Sequence, residues 1–250
     1  MSQYYDPSPT SEFYFDVANG NYPHHSVRTV FGIGTSTTDL STVWDNGSIY
    51  SYPSSASTMT VSSSSETDVY ESGGAEIVQI EGLNANWDTV TEQIQMNGQN
   101  AVSTTNSYIR INSMNVTQGV INVGNIYIGT GTVTTGVPAN VYAEIVATYG
   151  SSLQSFYSVP RNHTAYLING SIACGTTASN KYITASLLTR PFGGVLVTAM
   201  ITTLATGQNK YDFHAPIRIE AKSDIETRTI SSSGTDAVAT HYQIVLVRES

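Results

Sequence analysis

Ile77-Val78-Gln79-Ile80-Glu81-Gly82-Leu83-Asn84-Ala85-Asn86-Trp87-Asp88, followed by Gln93-Ile94-Gln95-Met96-Asn97-Gly98, decides the fold class. Val78 and Ile80 fall opposite Gln79 and Glu81, and Ile94 and Met96 alternate with Gln93 and Gln95. That two-residue period belongs to half-buried strands. Residues 82–88 supply turn formers at a length suited to a hairpin with a wider loop, and Asn97-Gly98 marks the next turn. Ile109 and Ile111 then alternate with Tyr108, Arg110 and Asn112.

The same pattern recurs at 155–159, 164–172, 182–188, 195–204, 217–220 and 242–247, with Gly, Pro, Asn or Ser clusters in nearly every interval. Residues 141–149 fit a strand, with a helix as the alternative. The most apolar stretch, 192–205, is short for a membrane span and is interrupted by Gly193 and Gly194, so it reads as a pair of buried strands. Parallel sheets would need intervening helices. The expected class is therefore all-β, an antiparallel β-sandwich or jelly-roll. No fixed-period repeat implies a solenoid or propeller.

Of the 250 residues 12% are charged, and 16 are tyrosine. Residues 1–125 carry two basic and twelve acidic side chains, and residues 126–250 carry eight and seven. The turn-rich junction Thr134-Thr135-Gly136-Val137-Pro138 divides these halves, which predicts an acidic β domain over 27–137 and a second β-sandwich domain over 138–250. Residues 1–26 read as an extended, aromatic-rich N-terminal arm. Pro7, Pro9 and Pro23 fix φ and remove donors, while Tyr4, Tyr5, Phe13, Tyr14, Phe15 and Tyr22 need a surface to cover them. Those six are the candidate interface residues, packing against the chain's own body or a neighbouring subunit.

Few residues carry chemistry. The net charge of -9, with no Lys/Arg run, argues against nucleic-acid partners. The opening residues lack the basic and apolar regions of a secretory signal, so synthesis and use in a cytoplasm is the expectation. No Gly-x-Ser-x-Gly elbow is present, and Gly32-Ile33-Gly34 lacks the third glycine of a dinucleotide loop and reads as a β-turn. The histidines are scattered apart from His24-His25, neighbours that point to opposite faces of a strand, so no metal site is expected. Asp45-Asn46-Gly47-Ser48 offers hard oxygen ligands without an EF-hand pattern and reads as a solvated turn. Cys174 reads as a small residue packed in a strand. No catalytic residue, metal, cofactor or membrane contact is expected. Glycoside hydrolysis, which needs two carboxylates far apart in sequence, stays open, as does a sugar platform at Trp44 and Trp87, although such aromatics are more often core.

Three stretches resemble virion structural proteins of tailed bacteriophages, in particular those of cyanophages and marine phages, some of which decorate or cement the capsid. They are residues 43–56, beginning Val43-Trp44-Asp45-Asn46-Gly47-Ser48-Ile49-Tyr50; residues 78–98; and residues 156–167, Phe156-Tyr157-Ser158-Val159-Pro160-Arg161-Asn162-His163-Thr164-Ala165-Tyr166-Leu167. In the third, Pro160-Arg161-Asn162-His163 stands where such proteins have a Pro-Ala-Gly-Lys-like turn between strands. With Lys222-Ser223-Asp224-Ile225-Glu226 the likeness covers most of the chain from about residue 40. The resemblance implies β-sandwich domains, homo-oligomers (commonly trimers) and docking onto the major capsid protein or other virion proteins at the capsid surface. It supplies no catalytic residues. The expected role is a capsid decoration or cement protein; a tail, collar or fibre-base component, or a carbohydrate-binding receptor protein, are the alternatives.

Overall fold

The computed structural model describes residues 13–175 and 180–249. It is nearly all β, with 61% of residues in strands and 3% in helix, and every strand pair is antiparallel. Helix α1 (Phe13–Ala18) precedes β1 (His25–Ser36), β2 (Ser41–Thr42), β3 (Ser57–Ser63), β4 (Ala75–Leu83), β5 (Thr89–Gln95), β6 (Val102–Tyr108), β7 (Arg110–Gly119) and β8 (Ile126–Thr134). Then follow β9 (Val137–Ile145), β10 (Phe156–Ser158), β11 (His163–Gly175), β12 (Ile183–Arg190), β13 (Val197–Leu204), β14 (Gly207–Ile219), β15 (Asp224–Ser231) and β16 (Asp236–Arg248).

Four sheets result, with strand orders β1-β16-β11-β14, β10-β15-β12-β13 (β2 pairing with β15), β6-β3-β8-β9 and β5-β4-β7. They are disposed like the blades of a four-membered ring and not strictly as a sandwich. No sequence repeat underlies the ring, because the blades differ in strand number and order. Neighbouring sheets share cores. Met59, Ile80, Ile111, Met114, Ile128 and Ile145 fill one, and Leu167, Leu187, Ile225, Ile244 and Leu246 fill another.

The hairpin that opened the sequence reading forms as expected: β4 pairs with β5 from Ile77↔Gln95 to Leu83↔Thr89. Of residues 141–149, favoured as strand over helix, 141–145 belong to β9 and 147–149 form a turn. Residues 134–138, where the junction was expected, form the tip of a hairpin. Thr134 pairs with Val137, and Thr135 and Gly136 both have positive φ (50° and 78°), the geometry of a tight two-residue turn whose twist matches its strands. The sheets group the chain differently from a cut at 137. β1 pairs with β16 along its whole length, from His25↔Val247 to Ser36↔Asp236, and β2 pairs with β15. Residues 57–145 build the other two sheets.

Gly32 and Gly34 lie inside β1, not in a turn. A Cβ on Gly32 would stand 2.4 Å from the Ser155 side chain, and one on Gly34 2.8 Å from the Trp44 carbonyl. Glycine lets the backbone at 43–44 and 155 cross directly over the strand. Residues 156–167 do give strand, turn, strand, with Asn162 at φ 58°. The two strands do not pair, however: β10 joins β15, whereas β11 joins β14 and β16.

The two halves of the ring meet at Asp224 on β15. Arg110 of β7 donates from Nε to Oδ1 (2.8 Å) and from Nη2 to Oδ2 (3.2 Å), and Arg190, ending β12, donates from Nε to Oδ2 (2.9 Å). The Ser158 hydroxyl also donates to Asp224. Two residues on, Glu226 accepts from the Tyr52 hydroxyl at 3.1 Å and from Arg228 Nε at 2.7 Å. Both guanidiniums lie over the Tyr52 ring, that of Arg190 at 4.1 Å and that of Arg110 at 4.9 Å from its centre. Removing one partner from a buried ion pair strands the other, at about 3 kcal/mol or more. Asp224→Asn is therefore expected to lower the unfolding free energy by about 3 kcal/mol in urea titrations; a loss below about 1 kcal/mol would show that the junction is not held by charge.

Asp45 follows β2 in the turn expected at 45–48, closed by the Gly47 amide donating to the Trp44 carbonyl at 3.2 Å. Its Oδ2 is buried without a hydrogen-bond partner. Burial, aided by the Glu144 carboxylate, pushes the Asp45 carboxyl from 3.8 up to about 7. The folded chain then holds this proton more tightly than the unfolded chain. The associated stability is present in full below the unfolded value and is lost as pH rises through about 7. Asp45→Asn cannot ionise, so its melting temperature relative to the parent should climb between about pH 4 and pH 8 in calorimetry. A flat difference across that range would contradict the shift.

Candidate assembly surfaces

The N-terminal aromatics are not all extended. Residues 13–18 form α1, and its end explains why. Gly20, at φ 75°, sends its amide to the Val17 carbonyl (3.1 Å), and the Asn21 amide reaches the Asp16 carbonyl (2.9 Å), the paired bonds of a glycine-terminated helix. Val17 is buried. The Phe13 ring meets the Tyr22 ring edge-on at 4.9 Å and the His25 ring at 6.3 Å. Phe13 and Tyr22 are thus half-buried against the start of β1, while Tyr14 and Phe15 point outward, Phe15 being 69% exposed. A groove of about 320 Å³ runs beside the helix, lined by Phe13, Tyr14, His25, Tyr166, Pro216 and Val247 among others. Tyr4 and Tyr5 lie outside the described residues.

Sequence reasoning missed a second apolar surface. The stretch 192–205 is one strand and its approach, not a buried pair: Phe192 is 63% exposed and Val195 73%, and Val197 and Ile201 are also exposed. The reason is topological. β13 ends its sheet, so only Met200, Thr202 and Leu204 face inward, lining the cavity or core against the opposite sheet. β14, which ends the neighbouring sheet, carries Lys210, Asp212, His214, Pro216 and Arg218, the charges and proline that discourage strand addition. β13 has no charged residue at all. The signal available in sequence was the alternation of threonines with apolar residues, which does not tell a covered face from a bare edge. A third exposed apolar group, Val120, Ile121 and Val123, follows β7.

The remaining sequence candidates are structural. Trp44 is buried against Tyr50 and Phe156, and Trp87 is buried with Arg110 over its ring at 4.8 Å, so neither offers an open platform. Cys174 is buried in β11, and burial raises its thiol. Among the described residues no three His, Cys, Asp or Glu side chains gather to hold a metal ion, and no helix is long and apolar enough to cross a membrane.

Acid and base are distributed unevenly over this frame. Residues 57–145 carry eight carboxylates and one cation, Arg110, which is spent on Asp224. Asp68 is buried within this segment and accepts the amides of Ala75 (3.0 Å), Val123 (2.8 Å) and Gly124 (2.9 Å), so it organises turns and adds nothing to the surface.

No family model and no curated protein sequence matches the chain. Among solved structures, the VP2 subviral particle of infectious bursal disease virus is 13% identical with a TM-score of 0.26, over 90% of this chain and 72% of that one. The Gt strain of the same virus gives 11% identity and a TM-score of 0.21, over 90% and 76%. The mosquito-larvicidal Cry4Aa toxin of Bacillus thuringiensis gives 8% and 0.22, over 92% and 60%. Likeness at this level assigns neither a fold family nor a role.

Proposed function

We propose that this chain is a virion structural protein, of the capsid decoration or cement type, that works by binding other protein surfaces and not by catalysis. One observation carries the reading: large apolar side chains stand exposed on three separate elements, α1, the approach to β13 with β13 itself, and the loop after β7. Scattered single exposures need no explanation, but grouped ones mark surfaces that meet a partner. Contacts on several elements suit a chain that touches more than one neighbour, as a lattice requires. Repeated over a shell, modest interfaces add to a strong restraint through effective concentration.

The partner on this reading is the major capsid protein, reached through α1 and the β13 edge. Glu66 and Glu71, exposed within residues 57–145, face solvent and help keep particles apart by like-charge repulsion. A single large interface, as in a tail or neck component, is less well matched by three separated groups. Copy number separates these readings. Quantitative mass spectrometry of purified particles should find the chain in numbers comparable with the coat protein. A few per cent of that number would move it to the tail or neck, and absence from particles would end the structural reading.

The outward aromatics of α1 provide the sharper test. Tyr14→Ser with Phe15→Ser removes no buried contact, so the melting temperature should hold, with stability changed by no more than about 0.5 kcal/mol. Binding to coat shells, measured by co-sedimentation, should weaken by about tenfold or more. Unchanged co-sedimentation would remove α1 from the interface.

A further inference from the structure

Above Asp224, the loop between β12 and β13, the segment at 52–54 and the turn at Trp87 enclose an open pocket of about 380 Å³. Three cations, Arg110, Arg190 and Lys222, line it against one carboxylate, Asp224. The donors are not equally spent. Arg110 uses Nε and Nη2 on Asp224 and Nη1 on the Pro53 and Ile109 carbonyls, at 2.9 and 2.7 Å. Arg190 uses Nε and Nη2 on the same carboxylate, which leaves its Nη1 edge. Among the described residues Lys222 makes no ion pair, and its Nζ sits 5.0 Å from the centre of the Phe192 ring. The pocket therefore holds two positive charges beyond the one that Asp224 balances, in a chain whose net charge is -9.

Its wall is equally particular. Tyr52 has both guanidiniums over its ring, and Arg110 also lies over Trp87. Phe192, edge-on to Trp87 at 5.7 Å, is the pocket aromatic that stays largely in solvent, on a loop whose Gly193, at φ 73°, would place a Cβ in open space. A planar guanidinium edge and an ammonium suit a carboxylate. An exposed phenyl ring suits the C–H face of a ring, and a volume of this size suits a ligand of one or two rings. A simple inorganic anion would leave Phe192 uncovered.

We propose that this pocket binds a carboxylate carried on a sugar ring, the chemistry of a uronic acid, with the carboxylate between Arg190 Nη1 and Lys222 Nζ and the ring against Phe192. Such a site would give the particle contact with acidic polysaccharide, a function separate from assembly.

Isothermal titration of the full chain with glucuronate, glucose, acetate and inorganic phosphate tests it. Glucuronate should bind with a Kd on the order of 1 mM, and each of the other three at least about tenfold more weakly. Lys222→Gln and Phe192→Ala change only side chains that no described hydrogen bond uses. Each should weaken glucuronate by about tenfold with the melting temperature unchanged. Acetate or phosphate binding as well as glucuronate would reduce the pocket to a bare anion site and overturn the proposal. So would glucose binding equally, a Glu-rich peptide binding more tightly, the absence of saturable heat with glucuronate, or wild-type affinity in both variants.

Discussion

A buried carboxylate shared by two guanidiniums is the constraint on which the arrangement of the sheets depends. Taking Asp224 out of water costs several kcal/mol, which must be offset by close charge and by hydrogen bonds to its remaining lone pairs. Both are supplied from elsewhere in the chain: Arg110 from β7, Arg190 from β12 and the Ser158 hydroxyl from β10. These donors are arranged around the oxygens only when residues 57–145 sit against the strands built by the rest of the chain. The ion cluster thus fixes a relative position that apolar packing alone, being non-directional, would leave loose. Ile225, between the two carboxylates, points the other way into the apolar core, so one short run of β15 serves both the core and the junction.

This also explains what was legible in the sequence. The hairpin at 77–95 could be read because its two faces differ, apolar within and polar without. β15 could not: Asp224, Ile225 and Glu226 are all buried, and a strand whose polar face is turned inward has the same period as one whose polar face is solvated. The opposite error arose at 192–205, where apolar residues on a terminal strand look like core. In both cases the missing information is which strands lie beside which, and pairings such as β1 with β16 span nearly the whole chain. At 134–138 the turn chemistry was read correctly as a turn, the tip of the β8–β9 hairpin. The aromatic side chains at Tyr14 and Phe15 were legible as interface candidates. The helix that presents them was not, because its signal is the single glycine at its C-terminal end.

Each of the four sheets is open, with β1 and β14, β10 and β13, β6 and β9, and β5 and β7 as terminal strands. β1 closes on β16, and β14 presents charged residues and a proline. β13 combines exposed apolar side chains with no charged residue, and an exposed strand of that kind, which nothing discourages from pairing, is a liability in a chain that works alone. A protein that spends its working life covered by neighbours has no such cost.

Electrostatics divides the labour between surfaces. In residues 57–145 the single arginine is turned inward while Glu66 and Glu71 stand exposed, an acidic excess that opposes close approach of like surfaces and favours discrete, oriented contacts elsewhere. The excess positive charge above Asp224 is a local inversion of that field. The guanidiniums on its wall are already held in place by Asp224, so a ligand entering there meets a preorganised guanidinium edge and loses little free energy in ordering it. Folding and binding would then draw on the same cluster: the arginine edge left free by Asp224 is available because the opposite edge is committed to holding the sheets together.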